Sequence, residues 1–276
     1  MLDKVLTETS PGWIAYAGGE PTCCKHLPQV MRSVSEKFPY IRQGLITNGI
    51  LLDEDYLQEL ISAGLGYVEI TLFANSPEKY TELTGGSGEF FYRVTHAITT
   101  VKLHALPLSV AIMLGADTTD AFETALDIAF TTGADRVAVN RFVPTGGGLA
   151  NKDAFSMSTR QLRDQLLLTD AKADKFGRAV TLTIPCRPCE LDGLDLKHIE
   201  FGKCVCGKHK WAIDPAGNLR TCEQNGQILG NLLEQSFEEL SNLPSVQDFL
   251  NWRPAEKCKS CKWMNDCNGG CRFSCL

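Results

Sequence analysis

Ten of the twelve cysteines in this 276-residue chain fall between Cys186 and Cys275, and four of them crowd into Cys258-x2-Cys261-x5-Cys267-x3-Cys271. Close thiolate pairs at such spacings wrap a metal centre while distant partners complete its coordination. The segregation marks a cysteine-rich domain, residues 185–276, separate from the 184 residues before it. Upstream of the four, Cys204 and Cys206 precede Gly217-x4-Cys222. There Trp211-Ala212-Ile213 and Asn218-Leu219-Arg220 read as two strands about the turn Asp214-Pro215-Ala216-Gly217, a hairpin that presents Cys222 beside its partners. Gly269-Gly270 ahead of Cys271 lets backbone approach a bulky inorganic core, which a side chain would prevent. A disulfide framework is the usual alternative, but it belongs to small secreted domains without adequate cores. This chain is 43% hydrophobic, and Met1–Ser10 lacks the layout of a signal peptide. On spacing alone, structural zinc serves as well as iron–sulfur.

From Trp13 to about Asn140, short β-branched runs alternate with amphipathic stretches, the signature of β-α units feeding a parallel sheet. The first strand, Trp13–Ala17, breaks at Gly18-Gly19, and a helix follows from about Leu27 to Lys37. A strand around Leu45–Thr47 ends at Asn48-Gly49, and Asp53 caps a helix that Gly64 ends. Strand Tyr67–Phe73, helix Glu89–Lys102, strand Leu106–Leu114, a helix opening at Thr119 or Asp120 and closing at Gly133, and strand Val137–Val139 continue the series. Ser158 with Gln161 forms a capping box for a helix through Phe176, and Val180–Ile184 is a further strand. Alternation alone does not choose between a barrel and an open sheet.

The net charge is −6 and no Lys/Arg run is dense enough to neutralise a phosphate backbone, so nucleic acid is not an expected partner. No apolar run reaches the roughly 18 residues of a membrane span, so no membrane association and a cytoplasmic location are expected.

The pattern from about Cys186 to Leu276 resembles the SPASM domain, the auxiliary-cluster extension of radical S-adenosylmethionine (SAM) peptide-modifying enzymes. The resemblance implies one or two auxiliary [4Fe–4S] clusters. Cys222 and Cys271 would hold one with a cysteine or two from Cys204 and Cys206, and Cys258, Cys261 and Cys267 would hold the second. Cys275 is the candidate fourth ligand to the second, although the family's own lies further beyond the motif, and Cys186 or Cys189 could replace an upstream ligand. In the barrel half, Gly18-Gly19-Glu20-Pro21 resembles the GGEP motif, where glycine backbone and the Glu carboxylate receive the SAM ammonium. Thr47-Asn48-Gly49, Thr71-Leu72-Phe73-Ala74, Gly85-Gly86-Ser87-Gly88-Glu89-Phe90 and Val143-Pro144-x-Gly146 follow in the family's order. By that likeness Thr71 would approach the SAM carboxylate or ribose, and Val139 to Arg141 the adenine. The implied fold is α/β, an incomplete parallel β/α barrel of the radical SAM type with a small SPASM domain. The implied partners are a peptide or protein substrate and a reductant such as flavodoxin or ferredoxin.

One element of the family is absent from the sequence: Cys-x3-Cys-x2-Cys, whose thiolates leave one iron open for SAM, belongs well before GGEP, and only Met1–Ala17 precede Gly18. The expectation is either a reading frame that begins late or a remnant without SAM-cleaving activity. Whether the chain is an enzyme therefore stays open at this stage. Its complete form would modify a peptide side chain by hydrogen abstraction. A non-catalytic iron–sulfur or electron-transfer protein and a zinc-stabilised interaction module are the alternatives. Cys23 and Cys24 are adjacent, which disfavours a shared metal, and buried apolar packing is their expected role. His209, close behind Cys206, is the one histidine placed to join a metal site.

Overall fold

A computed structural model of the chain describes residues 1–252, 256–267 and 269–275, with the side chains of Lys257, Asp266 and Cys275 outside the described set. Seven strands lie side by side in sequence order, every pair parallel: β1 (Trp13–Tyr16), β2 (Arg42–Thr47), β3 (Leu65–Leu72), β4 (Leu108–Leu114), β5 (Arg136–Arg141), β6 (Val180–Leu182) and β7 (Ile199–Phe201). Parallel neighbours need crossovers, and α2 (Leu27–Lys37), α3 (Glu54–Ser62), α4 (Pro77–Thr84), α5 (Glu89–Leu103), α6 (Thr119–Thr131), α7 (Lys152–Phe155) and α8 (Thr159–Phe176) fill those up to β6, while the β6–β7 connection holds only the 3-10 turn Pro188–Glu190. An initial helix, α1 (Leu2–Thr9), precedes the first strand.

The strand period of two sorts the side chains. Val68, Ile70 and Leu72 of β3, Val110, Ile112 and Leu114 of β4, and Val137 and Val139 of β5 pack against Leu57, Leu60, Val94, Ile98, Phe122, Leu126 and Leu166 of the helices. The alternate positions Tyr67, Glu69 and Thr71 turn to the other, concave face, where the register sets Glu69 beside Ser109 and Ser109 beside Arg136. The result is an incomplete β/α barrel with an apolar outer layer and a polar lining. Gly44 permits its crowded start: a Cβ there would lie 3.1 Å from both the Trp13 and Tyr67 rings, which meet edge-on at 6.3 Å between centroids.

Helix ends follow the local signals. The Asp53 carboxylate accepts from the Tyr56 N–H at 2.9 Å to start α3, and Ser158 and Gln161 form the reciprocal box that starts α8. Gly177, with φ of 61°, ends α8 in the left-handed conformation that suits glycine.

Strand β7 belongs to the large sheet although it lies beyond residue 184, so the large sheet gains its last strand before the chain enters its small antiparallel sheet of β8 (Ala212–Ile213), β9 (Asn218–Arg220) and β10 (Gly230–Asn231). The β8–β9 turn is held by the Asp214 Oδ1, which accepts from the Ala216 and Asn218 N–H groups at 3.0 Å, with Gly217 at φ 88°. Short helices α9 (Phe237–Ser241), α10 (Pro244–Leu250) and α11 (Met264–Cys267) complete this part. Helix α1, for which the sequence offered no signal, ties the two parts together. Val5 packs on Leu219, Leu232 and Leu240, while Leu6 packs on Val34 and Ile41. The Lys4 ammonium donates to the Gln235 carbonyl at 2.9 Å, and the Glu8 carboxylate accepts from the Phe237 N–H at 2.9 Å. Among the described residues no helix is long and apolar enough to cross a membrane.

Candidate cofactor and metal sites

Two groups of residues gather at the carboxyl ends of the strands. The first forms where β1 and β2 end. The Glu20 carboxylate caps a short 3-10 turn, Pro21–Cys23, and collects four donors: the Thr22 N–H (3.1 Å) and hydroxyl (2.6 Å), the Thr47 hydroxyl (2.6 Å) and the Asn48 N–H (2.8 Å). Glu20 thus joins the loop after β1 to the end of β2, bringing Gly18–Pro21 and Thr47–Asn48 into one unit. Gly18 has φ of 125°, and a Cβ at Gly18 or Gly19 would meet nothing within 4 Å. The loop therefore offers exposed backbone with open space in front of it, which fits a ligand that presents an ammonium to carbonyl groups.

The remaining predicted SAM-pocket residues divide. Thr71, the residue before the last of β3, lies on the concave face. Val139 is 1% exposed with its side chain in the helix-side core, so β5 offers the lumen Asn140, which pairs with Thr183, rather than the Val139 side chain. Cys23 and Cys24 are both exposed, which corrects the expectation of buried packing. The Glu20-capped turn ends in the Cys24 N–H bonding to the Pro21 carbonyl and leaves both residues on the solvent side.

The second group is made of thiols. The Cys206 thiol interacts with those of Cys204 and Cys222. Interaction with Cys206 holds the Cys204 and Cys222 thiols below the usual cysteine range, while Cys206 itself is pushed well above it. Cys206, Cys222 and the Glu223 carboxylate also present ligand atoms within 4.8 Å of one another. Glu223 is paired with the Lys210 ammonium at 2.7 Å. Cys271, 8% exposed, completes the neighbourhood: burial raises its thiol, and Cys204 and Cys222 are the sulfurs acting on it. Soft thiolates gathered round one point are the donor set of an iron–sulfur centre.

Sequence reasoning did not pick out Glu223 or Lys210. The signals were a carboxylate immediately after Cys222 and a lysine four residues after Cys206. His209, which was picked out, is exposed. The tight turn closed by N–H bonds from His209 and Lys210 to the Val205 carbonyl leads into Lys210, whose ammonium pairs with Glu223 beside the Cys206 and Cys222 thiols.

A third set follows. Cys258 and Cys261 share a turn closed by the Cys261 N–H to the Cys258 carbonyl at 3.2 Å, and α11 then carries the chain to Cys267. Burial raises the Cys267 thiol, and Cys189 and Cys258 are the sulfurs that add to the effect. The side chain of Cys275 lies outside the described residues. Lys210 also reaches electrostatically to Glu69 on the concave face, where burial lifts the carboxyl above its usual range.

Residues 12–129 match the family model of the Radical SAM superfamily, and residues 204–262 match that of SPASM, an iron-sulfur cluster-binding domain. Among curated proteins the chain is similar to the PqqA peptide cyclases of Granulibacter bethesdensis (26% identity over 269 residues, 93% of this chain and 68% of the relative) and Rhodopseudomonas palustris (27% over 277 residues, 94% and 68%). Among solved structures it shares its fold with native anSMEcpe with bound AdoMet (TM-score 0.73, 19% identity, 99% of this chain and 78% of that one). It likewise resembles Streptococcus suis SuiB bound to precursor peptide SuiA (TM-score 0.74, 17% identity, 95% and 61%).

Proposed function

We propose that this radical SAM/SPASM family protein, in a complete form that carries the SAM-cleaving Cys-x3-Cys-x2-Cys cluster missing from the present sequence, modifies a peptide or protein side chain with the help of auxiliary iron–sulfur clusters. SAM, when bound and reductively cleaved, supplies the hydrogen-abstracting radical of such chemistry. The chain's own part is to hold and orient. The Gly18 and Gly19 carbonyls accept the SAM ammonium, the Glu20–Thr47–Asn48 unit fixes that loop, and Thr71 meets the carboxylate or ribose. Cys204, Cys206, Cys222 and Cys271 hold one auxiliary cluster, and Cys258, Cys261 and Cys267 the second.

The observation that carries the proposal is the juxtaposition of these parts. Lys210 pairs with Glu223 beside the Cys206 and Cys222 thiols and acts electrostatically on Glu69 of the concave lining, which supports a peptide held on the concave side between the SAM loop and the first auxiliary cluster. The similarity to PqqA peptide cyclases and to SuiB bound to precursor peptide SuiA favours a peptide over a small-molecule substrate. A low-potential donor such as flavodoxin or ferredoxin is the proposed reductant. A reducing, cytoplasmic compartment suits the exposed Cys23 and Cys24 thiols.

The test is anaerobic reconstitution of the chain with iron and sulfide, followed by metal analysis, visible absorption and calorimetric titration with SAM. Bound iron and sulfide with saturable SAM binding that weakens in Glu20→Ala support the proposal. Zinc in a colourless protein overturns it, and clusters without SAM affinity favour an electron-transfer role.

A further inference from the structure

Charges and hydrogen bonds at the ligating sulfurs help to set the reduction potential of an iron–sulfur centre. Cys222 has one of each within its own turn, which the Asn225 N–H closes on the Cys222 carbonyl at 3.0 Å. The Gln224 N–H donates to the Cys222 sulfur at 3.4 Å, an arrangement that stabilises a thiolate. The Glu223 Oε2 stands 3.6 Å from the same sulfur and accepts from its thiol. Once that sulfur binds iron its proton is gone, and the two anions left side by side oppose the arrival of a further electron.

The other oxygen of Glu223, Oε1, meets the Lys210 ammonium at 2.7 Å. Backbone puts the lysine there. The Lys210 N–H donates to the Val205 carbonyl at 3.1 Å, the Gly207 N–H donates to the Lys210 carbonyl at 2.9 Å, and Cys206 and Lys210 pair as an isolated β-bridge. Gly207, at φ 74°, makes this loop possible, since a Cβ there would also stand 3.2 Å from the Phe249 ring. The cation thus leaves a loop that carries Cys206, its carboxylate partner follows Cys222, and one ion pair joins two thiol-bearing turns. Cys206, Cys222 and Glu223 accordingly present ligand atoms within 4.8 Å of one another. The two paired side chains are 51% and 48% exposed, and an ion pair so open to water adds little to folding. Its fixed place beside the sulfurs suits an electrostatic role.

We propose that the Lys210–Glu223 pair sets the reduction potential of the auxiliary cluster that Cys222 ligates: the carboxylate lowers the potential, and the ammonium raises it by offsetting that charge. Both are positioning residues that act on the cluster through the space beside Cys222, without a bond to iron. The electron comes from the low-potential donor, and no bond forms or breaks at either side chain. This assignment rests on the iron–sulfur proposal above.

The test uses the full chain loaded with iron and sulfide, titrated with dithionite in the presence of redox mediators and followed by electron paramagnetic resonance. Lys210→Met is expected to disfavour reduction of one cluster roughly three- to tenfold, a fall of about 28–59 mV for a one-electron couple. Glu223→Gln is expected to shift the same cluster upward by a similar factor, the double variant to return close to wild type, and Lys210→Arg to keep the wild-type potential. Shifts of the same sign in the two single variants, or no shift in either, overturn the assignment. Loss of iron in Glu223→Gln also overturns it, because the carboxylate would then be a ligand. If Lys210→Met fails to fold, the sign of the Glu223→Gln shift decides. Wild-type protein that takes up no iron overturns the iron–sulfur proposal itself, a separate and distinguishable failure.

Discussion

Replacing Glu20 by alanine removes the acceptor of four hydrogen bonds at once, and the loss can be worked donor by donor. The hydroxyls of Thr22 and Thr47 can rotate to other acceptors, but the Asn48 and Thr22 N–H groups are fixed by the backbone. Thr47 and Thr22 are only 3% and 8% exposed, so water reaches this corner poorly. An unsatisfied buried donor costs about 1–3 kcal/mol, which for two amides, discounted for partial hydration, places Glu20→Ala at about 2–4 kcal/mol. Glutamine is a graded control. It can turn its carbonyl to the Asn48 N–H and its amide nitrogen to the two hydroxyls, losing mainly the Thr22 N–H, at about 1 kcal/mol. Amide hydrogen exchange reads this locally: at 1.4 kcal/mol per tenfold, the Asn48 amide should exchange about 30-fold to 10³-fold faster in the alanine variant. The glutamine variant should change it far less. Unchanged exchange at Asn48 in Glu20→Ala, or equal effects of alanine and glutamine, would refute the role given to this carboxylate.

Gly44→Val should destabilise by about 1–3 kcal/mol, since its side chain must displace the Trp13 and Tyr67 rings, and near-ultraviolet circular dichroism should report the lost ring contact. Ser158→Ala should cost about 1 kcal/mol in a urea melt through loss of the α8 capping box, with Ser158→Gly costing less. Asp135→Asn tests a pH dependence. Partial burial pushes this carboxyl up, but the Lys102 ammonium at 2.8 Å and the Leu108 N–H outweigh that and hold it below the usual range. A depressed carboxyl stabilises above its unfolded pKa, and the stabilisation is lost as pH falls through the folded value. The variant should therefore be weaker by about 0.5–1 kcal/mol near neutrality, the discounted worth of a half-exposed pair, and should converge with wild type in acid denaturation series.

Several of these features could be read from residues in line. Gly64 and Gly133 end α3 and α6 where expected, Asp53 and Ser158 start helices, and the run of β-α units is the sheet order itself. Other elements were not legible for identifiable reasons. Helix α1 carries a polar composition with only Val5 and Leu6 buried, and its partners lie more than two hundred residues away at Leu219, Leu232 and Leu240. Strand β7 has three residues, too short for a period to show, and is recruited by pairing with β6. Exposure of Cys23 and Cys24 depends on a cap by Glu20, whose carboxylate is in turn held by β2.

Local chemistry along the chain determined that there would be a parallel β/α run, that GGEP would end its first strand, and that thiols would concentrate in the last third, because periodicity, caps and ligand type act within a few residues. Which sulfurs meet was decided only by the folded path. Cys206 meets Cys222 with Glu223 alongside, and the Pro185–Arg187 segment comes to Gly270 and Cys271 across more than eighty residues of chain. Such meetings are sums of packing and hydrogen bonding over elements far apart in sequence, and no spacing rule encodes them.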